Sequence, residues 1–105
     1  MIITTTPAVE GHRIGRYIGI VAGEVALGTD FVRDFMASIA DFLGARTSAY
    51  EEKLGEAREA CLREMADRAV RMGANAIVGV KVDHEILTNG MMLVISSGTA
   101  VVLEN

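Results

Sequence analysis

From Ile14 to Val25, apolar and small residues recur with a period of two, the mark of a β-strand. One face would carry Ile14, Arg16, Ile18, Ile20, Ala22 and Glu24. The other would carry Gly15, Tyr17, Gly19, Val21, Gly23 and Val25. Three glycines on one face leave a groove where a helix or another backbone can approach closely. Ahead of this segment, Ile2–Thr6 reads as a short strand stopped by Pro7, which cannot donate to a ladder. Behind it the period changes to three and four. Phe31, Phe35, Ile39, Phe42 and Leu43 form an apolar stripe after Thr29 or Asp30 as cap, and Gly44 supplies a stop. A second helix starts at Ser48, with Glu51 completing a capping box. Its stripe runs through Tyr50, Leu54, Ala57, Cys61, Met65, Ala69 and Met72. Glu59–Arg63, Glu64–Arg68 and Asp67–Arg71 lie opposite in the favourable acid-first order, and Gly73 ends the helix.

Two further strands close the chain. Ala76, Val78, Val80, Val82, His84 and Ile86 would share one face of the first, with Ile77, Gly79, Lys81, Asp83, Glu85 and Leu87 on the other. Asn89-Gly90 predicts a two-residue type I′ hairpin, which needs positive φ at both central positions. The return strand, Met91–Leu103, is apolar on both faces apart from Ser96, Ser97, Gly98 and Thr99. Such a strand needs cover on both sides. Two helices on one face leave the other bare, so the pattern predicts self-association. Residues 1–105 thus read as one α+β domain with element order β-β-α-α-β-β.

Composition narrows the class. Half of the 105 residues are hydrophobic and the formal net charge is −4, with no Lys/Arg cluster. That excludes a disordered chain and lacks the electrostatic footprint of a nucleic-acid binder. No apolar run reaches the roughly 18 residues that span a bilayer, and no signal peptide is visible. The single cysteine cannot close an internal disulfide, which points to the cytoplasm.

Candidate chemistry is sparse. No Cys-x-x-Cys and no spaced histidine pair is written in the chain, so no single-chain metal site is legible. Cys61, on the apolar stripe of the second helix, reads as a small buried hydrophobe, and the methionines read as core filling. His84 reads as a core or interface histidine. Asp83 and Glu85 share a strand face and could converge as hard oxygen donors, and His84 with His12 across an interface would suit zinc or nickel. Any such site, with Asp83, His84 and Glu85 as the metal candidates, requires repetition by symmetry. A divalent ion is therefore open as a cofactor but not favoured. Glu24, Arg33, Asp34, Arg46 and Tyr50 bracket the first helix and form the candidate ligand-binding cluster. It reads either as an ion-pair network or as an enzyme site completed by a neighbouring subunit. No catalytic triad or phosphate loop is present.

Separated blocks of the chain match a known pattern. They include Thr5-Thr6-Pro7, Glu10-Gly11, Gly23-Glu24, Leu27-Gly28, Arg33-Asp34-Phe35 and Ala49-Tyr50-Glu51. Gly73-Ala74, Val78-Gly79 and Ser97-Gly98-Thr99-Ala100-Val101 continue the match. Together they resemble the YbjQ-like family, small bacterial and archaeal proteins of uncharacterised function that carry a heavy-metal-binding label. The resemblance implies a dodecin-type α+β subunit, a two-layer, antiparallel sheet with two helices packed on one side, assembled as a homopentameric ring, with the chain itself as its partner. It brings no catalytic residues. The expected function is a small oligomeric, non-enzymatic domain that binds a metal ion or small ligand at subunit interfaces, the enzyme being the alternative.

Overall fold

The computed structural model describes residues 1–40 and 44–104, with side chains outside 38–49. The elements are β1 (Ile2–Ile3), β2 (Arg13–Leu27), α1 (Thr29–Ala40), α2 (Gly44–Arg71), β3 (Ala76–Ile86) and β4 (Met92–Glu104). They form one four-stranded sheet in the order β1-β3-β4-β2. β4 is antiparallel to both β2 and β3, so those two run parallel to each other with β4 inserted between them. β1 pairs parallel with β3, through Ile2 to Ala76 and Ile3 to Ile77. The sheet is therefore mixed, where an antiparallel one was expected. A strand of two residues has no period from which its direction could be read.

The core lies between α2 and the sheet. Leu54, Ala57, Cys61, Met65 and Ala69 are buried along one face of α2, as their spacing predicted, whereas Met72 at its end is exposed. Met65 and Ala69 pack with Val21, Ile77, Val80 and Ala100. Burying a side chain such as Met65 stabilises the fold by about 1.5–3 kcal/mol. Gly23 allows this approach: a Cβ there would lie 2.9 Å from Met65 N and against Cys61 O. α1 closes the end of the core, with Val32 packed on Leu54 and Met92. α2 begins at Gly44, a turn before the expected start, so Ser48 lies inside the helix and cannot be its N-cap. Phe42 and Leu43 of the expected stripe fall outside the described residues. Of the three acid-first pairs, Glu64–Arg68 forms an ion pair, at 2.6 Å.

Bulges overturn part of the face assignment. Gly79 adopts φ +61° and interrupts the β3–β4 register between Val78 and Lys81. One extra residue on one strand transfers the side chains beyond it to the other face. Ile77 and Val80 therefore share the core under α2, while Ala76 and Val78 pack on the opposite face with Val101, Val9 and Ile14. In β2, two register shifts between Ile14 and Gly19 act likewise. Ile18 packs against the core, and Tyr17, opposite Val101, is exposed on the other side. The hairpin also differs from expectation. Leu87 N donates to Met91 O (2.7 Å) and Gly90 N to Leu87 O (2.9 Å), enclosing three loop residues. Gly90 at φ +84° supplies the left-handed position of that longer loop.

Candidate functional site

The cluster proposed around the first helix does not assemble in one chain. Glu24 pairs with Ile95 in the sheet, and because its neighbour Gly23 faces α2, Glu24 points to the helix-free side. Arg33 and Asp34 sit exposed on α1, where Arg33 reaches Asp30 and Asp34 at 3.5 Å each. Tyr50 is half-buried in an aromatic group, its ring 5.5 Å from Phe31 and 6.0 Å from Phe35. Lys53 lies over the Phe31 ring at 5.2 Å. The Arg46 side chain lies outside the described residues. The sheet separates Glu24 from the others, so a shared pocket is excluded for these four residues within one subunit.

The metal candidates are dispersed as well. Asp83 pairs with Ile95 and Glu85 with Leu93, placing both carboxylates on the helix-free face. Lys81 lies 3.5 Å from Asp83. His84, opposite Val94, belongs to the other face and is exposed, so of the two readings given to it, core or interface, the single chain does not show the core one. Cys61 is sealed. Its thiol lies 3.1 Å from Gly23 O, 3.3 Å from Val94 O and 3.2 Å from Ser96 Oγ, and Ser96 Oγ donates to Cys61 O at 3.1 Å. Among the described residues, no three His, Cys, Asp or Glu side chains converge on a point that could hold a metal. Among the described residues, a single chain therefore offers no three-donor site of the kind a metal centre needs.

Two surfaces carry more than these clusters. The first is the helix-free face. The segment around Val9 covers its end at Ala76, Val78 and Val101. Beyond that, Leu93 and Ile95 alternate with the buried Met92 and Val94 and stay partly exposed. Ile20 is 85% exposed and Tyr17 67%. The second is an apolar groove of about 340 Å³ between β3 and α2, lined by Ile3, Thr4, Thr5, Leu62, Val80 and Val82. The two-sided apolar pattern of β4 announced the first surface. The second had no sequence signal, because it exists only where β1 stops short.

Fold and surfaces together define a two-layer α+β domain with one helix-backed and one bare sheet face. Among solved structures, a Pediococcus pentosaceus protein of unknown function, described as belonging to the DUF74 family, shares this fold with a TM-score of 0.64. It is 16% identical, and the match covers 99% of this chain and 98% of that one. The chain belongs to the YbjQ family, whose model, described as "Putative heavy-metal-binding", matches residues 1–104. A UPF0145 protein of Acetivibrio thermocellus is 55% identical over 106 residues, covering 99% of this chain and all of the relative. One from Geobacillus kaustophilus is 53% identical over 105 residues, covering both chains fully.

Proposed function

We propose that this protein is a self-associating cytoplasmic domain that closes into a ring of five subunits. Any small ligand or metal ion would be held between subunits, where one donor per chain becomes a circle of donors. The bare sheet face, with Tyr17 and Ile20 exposed and Leu93 and Ile95 partly so, carries this reading. Monomers rarely leave a contiguous apolar patch beyond a few hundred Å² open to water. The shape supports it too. The radius of gyration is 16.5 Å, against about 13 Å for a compact chain of this length. The accessible surface is 6420 Å², whereas a folded monomer of this mass exposes about 5,700 Å². The difference approaches the roughly 800 Å² that one partner contributes to a standard interface.

Native mass spectrometry of protein purified without added metal reads stoichiometry and bound ligand together. The wild type is expected as a pentamer, and Ile20→Asp, a charge placed on the bare face, is expected to shift it toward monomer. A stable wild-type monomer at micromolar concentration defeats the proposal.

A further inference from the structure

The sheet has two outer edges, and they are treated differently. On β2, Arg68 donates to Ala22 O at 2.9 Å and is held there by Glu64 at 2.6 Å. A side chain laid over an edge carbonyl blunts that edge against another strand. The other edge begins at β1, which covers only the start of β3. Thr4 N donates to Ile77 O and Val80 N to Thr4 O, both at 3.0 Å, and Gly79 N to Thr6 O at 2.9 Å. There the chain turns away. In an antiparallel ladder both backbone groups of a residue point to the same side, and successive residues alternate. Val80 points away from β4, so Val82, His84 and Ile86 do too. Among the described residues no strand lies beside that stretch, since β1 pairs only with Ala76 and Ile77.

This open lane runs directly beside the apolar groove between β3 and α2. A strand entering it would pair with the free backbone groups and set alternate side chains against Leu62 and Val82. Backbone pairing with side-chain pockets on one face is the physics of strand addition.

We infer that the outer edge of β3 from Val82 to Ile86, with the groove beside it, seats the β2 strand of a second copy of this chain. Two observations select that occupant. The excess surface is close to one partner's share of an interface. β2 is the other unpaired edge, and Arg68 guards it only at Ala22, leaving the half before it, from Arg13 to Ile20, free. The contact is head to tail, as a closed ring requires. This inference rests on the self-association proposed above, and names its edge and its partner strand.

The test is residue-resolved hydrogen exchange with sedimentation on the full chain. In the assembled protein, the amides of Val82, His84 and Ile86 are expected to exchange at least about tenfold more slowly than after dilution to monomer. His84→Pro removes an outward N–H that bonds nothing among the described residues, so it is expected to keep the monomer's circular dichroism and weaken assembly at least about tenfold. His84→Ala keeps the backbone donor and is expected to assemble as wild type. Ile20→Pro removes an N–H that alternation from Ala22 turns outward on β2, and is expected to weaken assembly at least about tenfold beyond Ile20→Ala. An assembled protein whose three amides exchange freely overturns the edge assignment alone and leaves self-association standing. An Ile20→Pro variant that assembles as Ile20→Ala does overturns β2 as the docking strand. A wild type that stays monomeric overturns both readings.

Discussion

Replacing Gly23 by alanine tests how closely α2 lies on the sheet. The added Cβ would sit 2.9 Å from Met65 N, 3.0 Å from Ser96 Oγ and against Cys61 O. Two of these neighbours are helix backbone, which cannot rotate away as a side-chain end can. α2 must retreat by about 1 Å, and a gap of 0.5–1 Å forfeits a quarter to a half of each dispersion contact across it. Overpacking of this kind costs about 1–3 kcal/mol. The retreat also lengthens the bonds that join Cys61 and Ser96, adding about 1 kcal/mol. The expected loss is therefore about 3 kcal/mol, a large part of the 5–15 kcal/mol typical of a domain. For a chain of this size the midpoint falls by about 15 °C. Denaturation followed by circular dichroism, at one fixed protein concentration, measures it. Gly55→Ala is the matched control. Its Cβ meets only Arg58 Nη2 at 3.7 Å, and mid-helix alanine is expected to stabilise by about 0.5–1 kcal/mol. If Gly23→Ala costs less than 1 kcal/mol, the close approach of α2 to β2 is refuted.

Two other substitutions read the same architecture. Cys61 is fully buried, so its native-state reaction with thiol reagents is expected to be slow and Cys61→Ala to cost about 1 kcal/mol; rapid labelling of the folded protein contradicts this. Gly79 holds φ +61° with open space where a Cβ would stand, so Gly79→Ala is expected to cost about 1–2 kcal/mol from backbone strain alone. Gly79→Asn, which tolerates that region, should cost less; equal losses for both would point away from the φ requirement.

The sequence made the long elements legible and concealed the irregular ones. The stripe from Leu54 to Ala69 predicted which side of α2 is buried, because helix geometry holds over many turns without correction. The glycine groove of β2 was legible at Gly23, where helix backbone does approach, but a Cβ at Gly19 would meet nothing within 4 Å. Alternation fails wherever a bulge inserts a residue, and Gly79 shows why: its positive φ depends on pairing with β4, not on any local pattern. The same limit undid the candidate cluster. Glu24 is near Arg33 in sequence, yet the face it occupies is fixed by Gly23 packing on α2. For Asp83, His84 and Glu85, alternation after the bulge kept the carboxylates together and His84 apart. It could not show that α2 leaves His84 exposed.

The bare sheet face also constrains what can cover it. Ile95 sits between Glu24 on β2 and Asp83 on β3, and Leu93 sits beside Glu85. A cover that removes water from Ile95 and Leu93 also dehydrates those carboxylates, and an uncompensated buried charge costs several kcal/mol. Lys81, 3.5 Å from Asp83, offsets one of the three. A purely apolar lid is thus disfavoured, however well it matches Ile20 and Leu93 in shape. The fitting cover brings cationic groups at its rim and apolar groups at its centre.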